Sequence, residues 1–162
     1  MNSPADAPAP VSLRDVTREN FQTLVMLKGV PGDGYPPLFE PSVASIAFSI
    51  TQAYAEPEWR PRAVYAGEAP VGFGMWGLDR ELDAPFVTRL LIDHRRQRLG
   101  YGRRAMALML EEIAATGARE AYVSIVEGNG TAEALYRSLG FSRTGRTVGF
   151  GAHQEPLLHL AF

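Results

Sequence analysis

Residues 86–92 (Phe-Val-Thr-Arg-Leu-Leu-Ile) form an apolar, partly β-branched run that reads as a largely buried strand. It breaks into His94-Arg95-Arg96-Gln97-Arg98-Leu99-Gly100-Tyr101-Gly102-Arg103-Arg104, a loop with two glycines and five arginines. Met106, Met109, Leu110 and Ile113 follow at helical spacing, so the loop feeds the start of an amphipathic helix. Glycines let backbone approach a ligand closely, and the free N–H groups and dipole of a first helical turn favour negative charge. Arginines add charge-assisted contacts to phosphate oxygens. This stretch is built to hold an anion.

A chain of 162 residues fits one domain with a real core. A net charge of only −2 argues against a nucleic-acid surface, so the basic loop is local. The absence of cysteine excludes disulfides, thiolate metal sites and thiol nucleophiles. His94, His153 and His159 lack metal-ligand spacing, so no metal is expected. No apolar run is long enough to span a bilayer and the N-terminus lacks a signal-peptide pattern, so the expectation is a soluble, cytoplasmic protein.

Taken in order, residues 1–10 read as a disordered Pro/Ala tail and 11–162 as one domain. Residues 11–16 look like a strand, and Thr17 is placed to cap a helix reaching Lys28. Residues 30–39 are a Pro/Gly loop, Pro41 can begin a second helix through Tyr54, and 55–61 are irregular. Residues 62–66 and 71–78 flank a hairpin signal at Gly67-Glu68-Ala69-Pro70, and 79–85 form an acidic turn. Beyond the central helix, which Gly117 stops, come a buried strand at 121–126, a helix opened by Asn129 and closed by Gly140, and a last strand at 157–162. The pattern is α/β, a mixed central sheet with helices on both faces.

Two phosphate-binding patterns fail. Gly100-x-Gly102-x-x-Ala105 formally fits the dinucleotide fingerprint, but that motif needs its first glycine directly after its strand. No Gly-Lys-Ser/Thr is present for a Walker loop. By contrast, Gln97-x-x-Gly100-x-Gly102, standing between strand and helix, resembles the Q/R-x-x-G-x-G/A signature of the GNAT superfamily of N-acyltransferases. Asn129-x-x-Ala132-x-x-Leu135-Tyr136-x-x-x-Gly140-Phe141 resembles the second signature of that family, at the usual distance. Residues 62–72, 89–93 and the helix at 43–54 further resemble its bacterial spermine/spermidine acetyltransferase-like branch.

The resemblance implies the GNAT fold with splayed central strands, and acetyl-CoA as donor. Carried over position by position, the backbone of Leu90, Leu91 and Ile92 would pair with the pantetheine arm. Gln97, Arg98, Leu99, Gly100, Tyr101, Gly102 and Arg103 make up the pyrophosphate loop. Asn129 would hydrogen-bond the pantetheine or its thioester side. Tyr136 matches the general acid of the family; read without the family, it is an aromatic packed on the sheet with a satisfied hydroxyl.

The base is not legible. An alkylammonium with a pKa of roughly 10.4 must lose a proton before it attacks a thioester. Some members of the family place a glutamate for this five residues before the motif asparagine, and here Ser124 stands there. Glu127, Glu19, or a water chain held by Thr88 or Ser124 are the alternatives. For the acceptor, Tyr35, Phe39, Phe48 and Tyr54 supply an apolar wall, and Glu40, Glu127 and the acidic turn supply charge for a distal ammonium. The expectation is therefore acetyl transfer to a primary amine of a small, polyamine-like molecule. Protein N-termini, lysines or amine antibiotics are the alternative acceptors, and a non-catalytic acyl-CoA-binding module is the alternative class. A homodimer is left open.

Overall fold

The computed structural model of the chain describes residues 9–40 and 43–162. Among these residues the strands are β1 (Val11–Asp15), β2 (Phe39–Glu40), β3 (Val43–Ala44), β4 (Trp59–Ala66), β5 (Ala69–Asp79), β6 (Ala84–Ile92), β7 (Glu120–Ser124), β8 (Ser142–Phe150) and β9 (His153–Ala161). The helices are α1 (Phe21–Val25), α2 (Ile46–Ala55), α3 (Tyr101–Ala115) and α4 (Gly130–Ser138). Seven strands form one sheet in the order β1-β4-β5-β6-β7-β9-β8, and β2 pairs with β3 in a separate hairpin. Every pairing is antiparallel except that of β6 with β7.

Helices cover both faces. α3 buries Met106, Met109, Leu110 and Ile113, the stripe read from the sequence, and also Tyr101 and Ala105. With Leu135 and Tyr136 of α4 it packs over Val87, Val123 and Leu158. On the other face, Leu24, Leu27 and Ile46 pack over Ala63, Tyr65, Phe73 and Met75.

The α/β expectation stands, with local corrections. α1 covers five residues, not the twelve from Thr17 to Lys28. Thr17 turns the chain instead, its carbonyl accepting from Asn20 and Phe21 N–H. The second helix begins after Ser45, whose hydroxyl accepts from Phe48 N–H; Pro41, the expected start, lies outside the described residues. A whole strand, β8, has no counterpart in the sequence pattern: Ser142-Arg-Thr-Gly-Arg carries no apolar alternation because β8 is an edge strand. The tail expected at 1–10 lies outside the described residues except for Ala9 and Pro10. Pro10 accepts from Gly67 N–H at 2.9 Å, and Ala9 packs near Val11.

Candidate functional site

The site begins as a defect in the sheet. β6 and β7 pair only at Phe86 with Tyr122 and Val87 with Val123. Immediately beyond, the β5 register jumps so that Thr88 is an extra residue on β6, a bulge that bends the strand. Residues 88–92 of β6 therefore have no strand partner on the β7 side, and a wedge opens between the two strands.

At the mouth of the wedge, β6 runs into a short 3₁₀ turn (His94–Arg96) capped by Asp93. Asp93 is only 2% exposed. Burial alone would raise its pKa, but hydrogen bonds from the Arg95 side chain and from the Arg95 and Lys28 N–H groups hold it below the usual carboxylate range. Gln97 Nε2 donates to Ile92 O at 3.0 Å and to Gly29 O at 2.6 Å, pinning the loop to the end of β6. Arg98 (φ 65°) and Gly100 (φ 79°) are both left-handed, which turns backbone N–H groups inward before the first turn of α3. Gly100 is the N-cap and makes no side-chain cap, so the N–H groups of Tyr101, Gly102 and Arg103 lack intrahelical partners. The side chains of Arg96 and Arg98 make no hydrogen bond or ion pair among the described residues. Arg103 leans toward Ser138, 3.3 Å from Nε to the hydroxyl.

α4 brings the aromatic of the second motif to the wedge from one face. Asn129 caps α4, its Oδ1 accepting from Ala132 N–H at 3.1 Å. About two turns later, Tyr136 lies buried at 7% exposure against Phe141, ring centroids 5.9 Å apart. No described residue hydrogen-bonds its hydroxyl. Burial, and then the negative charge of Glu155, push its pKa up to about 12.

The other face of the wedge carries charge. Ala121 and Val123 of β7 enter the α3–α4 core, so Ser124 points the opposite way. There its hydroxyl donates to Glu155 Oε2 of β9 at 2.5 Å. Arg89 is anchored by Ser49 and Gln52 of α2 (3.2 Å each) and by the Thr88 hydroxyl (2.6 Å). Burial lowers the Arg89 pKa while the charge of Glu155 opposes that shift.

The acids expected near an acceptor are differently employed. Both carboxylate oxygens of Glu40 lie 3.0 Å from Gly29 N, so Glu40 braces a loop. Glu127 is exposed and sits 3.4 Å from Arg143. Asp79 accepts from Glu81 and Leu82 N–H in its own turn. Thr88 serves Arg89, and Glu19 sits exposed in the turn before α1. Glu155 had no signal in the sequence: only the pairing of Ser124 with Leu157 carries it to the wedge. Among the described residues no group of three or more acidic or histidine side chains could hold a metal ion, and no helix is long and apolar enough to cross a membrane.

The Glu40 brace gives a prediction. A Cβ on Gly29 would stand 2.4 Å from Glu40 Oε2, so Gly29→Ala must displace the carboxylate. The expected cost is about 1–3 kcal/mol of stability, read by thermal or urea unfolding. Unchanged stability would show that the brace contributes nothing.

No curated protein matches the chain. Solved structures do share its fold. An acetyltransferase from Thermus thermophilus is 21% identical, with 94% of this chain and 97% of that one covered and a TM-score of 0.64. A Bacillus subtilis acetyltransferase in complex with CoA is 14% identical, with 94% and 97% covered and a TM-score of 0.65. The spermidine N-acetyltransferase of Vibrio cholerae, in complex with CoA and spermine, is 14% identical, with 93% and 95% covered and a TM-score of 0.68. The acetyltransferase (GNAT) family profile matches residues 33–141, which span the bulged strand, the glycine–arginine loop and the Tyr136 helix: the chain belongs to the GNAT acetyltransferase family.

Proposed function

We propose that this protein transfers an acetyl group from acetyl-CoA to a primary amine of a small, polyamine-like molecule by direct attack. The observation that carries the reading is the Tyr136 hydroxyl, bonded by no described residue, beside a wedge whose mouth is an anion-ready helix start. In this reading the N–H groups of residues 98–103 hold the pyrophosphate, helped by the side chains of Arg96 and Arg98. Gln97 acts through the backbone, keeping the loop on Ile92. The unpaired edge of Leu90, Leu91 and Ile92 takes the pantetheine arm as a strand would. With Oδ1 of Asn129 used in the cap, its Nδ2 remains for that arm. Bound acetyl-CoA supplies an electrophilic thioester carbonyl and a thiolate leaving group.

The polyamine assignment draws on the amine-binding Vibrio cholerae neighbour and on surface chemistry beside α2. Phe39 and Phe48 pack with centroids 5.4 Å apart and stay 61% and 38% exposed, a wall suited to a methylene chain. Glu127, exposed beside Arg143, is the acid this reading assigns to a distal ammonium. Release of CoA thiol with an amine panel tests this. Spermidine and putrescine should react faster than butylamine, added salt should erode the advantage, and Glu127→Gln should raise KM for spermidine more than for butylamine. Activity on peptides alone would overturn the polyamine acceptor, and binding without turnover would leave only an acyl-CoA-binding module.

A further inference from the structure

We propose that Glu155 is the base of this reaction: its carboxylate, held by the Ser124 hydroxyl, takes the proton that the acceptor ammonium must lose. The inference rests on the transferase reading above and supplies the group that the motifs leave unnamed.

Position is the first reason. Ser124 ends β7 at the wedge, five residues before Asn129, and Glu155 reaches the same spot from β9. A carboxylate is thus delivered to the place where Ser124 itself has none, by the neighbouring strand. Tyr136 flanks the wedge from the α4 side of the sheet and Glu155 from the α2 side. An incoming amine on the α2 side meets the carboxylate while the departing sulfur lies toward the phenol. The charge of Glu155 is felt by both Tyr136 and Arg89, so it lies within electrostatic reach of each.

Availability is the second reason. Glu40 is taken up by Gly29 N–H, and Asp93 by Arg95 and Lys28 N–H. Glu112 accepts from Arg62 and Trp76. Glu133 is gripped by Arg143 and Arg137, whose hydrogen bonds take its pKa to about 2 and make it useless as a base near neutrality. Glu155 has one hydrogen bond among the described residues, from the neutral Ser124, and no ion pair. Arg89 is nearby, yet its own donors go to Ser49, Gln52 and Thr88. The carboxylate is held without being neutralised.

The proton count closes. The ammonium gives one proton to a Glu155 oxygen, and the freed lone pair forms the C–N bond at the thioester carbonyl. The C–S bond then breaks, with Tyr136 donating toward sulfur. The second nitrogen proton, lost as the amide forms, ends on the departing sulfur, directly or relayed through the Tyr136 hydroxyl, and gives the free CoA thiol. Glu155, only half-buried, returns its proton to water.

At pH 7 an amine of pKa about 10.4 is unprotonated in roughly one molecule in two thousand, so a placed base has much to gain. With spermidine, or the fastest amine of the panel, Glu155→Gln should lower kcat/KM by about 10²–10⁴-fold near pH 7. The deficit should shrink by about tenfold per pH unit toward the pKa of the amine, because free amine then arrives from solution. KM for acetyl-CoA should not change. The groups facing Glu155 are Ser124 from β7, Arg89 from β6 and Tyr136 from α4, with uncharged Val148 opposite on β8. Ser124→Ala keeps the charge balance should Glu155→Gln misfold. Without that donor the carboxylate is no longer held at the wedge, so kcat should fall several-fold with KM for acetyl-CoA unchanged, and Ser124→Thr, which restores a hydroxyl, should recover it. A Glu155→Gln enzyme as fast as the parent, a deficit constant with pH, or a Ser124→Ala enzyme that loses nothing would overturn the proposal and leave acetyl transfer intact. A parent enzyme that binds acetyl-CoA yet releases no thiol with any amine would overturn the transferase reading, and the base with it.

Discussion

Tyr136→Phe should lower kcat by about 10²–10⁴-fold and leave acetyl-CoA affinity within about threefold. The substitution keeps the ring against Phe141 and removes only the hydroxyl that no described residue bonds. With its pKa pushed up to about 12, the phenol is a poor acid toward a thiol of pKa about 8.5. Full transfer would be uphill by about 5 kcal/mol at about 1.4 kcal/mol per unit. In the proposed mechanism Tyr136 would therefore act chiefly by donating a strong hydrogen bond to the developing thiolate, in a site where burial magnifies that bond. The same raised pKa keeps the donor protonated at every working pH, so no basic limb from this residue should appear below about pH 11. A variant as fast as the parent would reduce Tyr136 to a core aromatic.

Gly102→Asp should cost at least about a hundredfold in acetyl-CoA affinity while the protein still folds. A Cβ at Gly102 meets only Ile92 Cγ1 at 3.5 Å and Leu135 Cδ2 at 3.9 Å, ordinary contacts that the protein tolerates. Packing therefore does not explain a glycine there; in the proposed reading, close approach of the pyrophosphate does. The aspartate would put a negative charge where the first-turn N–H groups and helix dipole are arranged for a pyrophosphate. Gly102→Ala separates the two effects, since it adds bulk without charge and should lose less. Calorimetry on the folded variants reads both, and parental affinity in Gly102→Asp would remove the loop from the site.

Much of this architecture is local and so was readable in the sequence. Strand β6, the Gly100 entry to α3, the buried stripe from Met106 to Ile113 and the Asn129 cap each follow from neighbours a few residues apart. What escaped depends on distant pairing. Thr88 gives no hint that it is a bulge, because the bulge exists only against Met75 and Trp76 of β5. Glu40 looked like an acid for a ligand, and only the fold shows Gly29 N–H between its oxygens. Glu155 was invisible for the same reason: 31 residues separate it from Ser124, and the β7–β9 register alone joins them. The edge strand β8 lacks the alternation that burial imposes on strands inside the sheet.

Transfer of the acetyl group itself is the direct test. The protein is incubated with acetyl-CoA carrying an isotopically labelled acetyl group and with spermidine as acceptor, and both products are counted by mass spectrometry. One labelled acetyl should appear on a spermidine nitrogen for each CoA thiol released, and Tyr136→Phe should slow both together. Thiol release that ignores the amine, or tight acetyl-CoA binding with no label on any amine offered, would contradict the account.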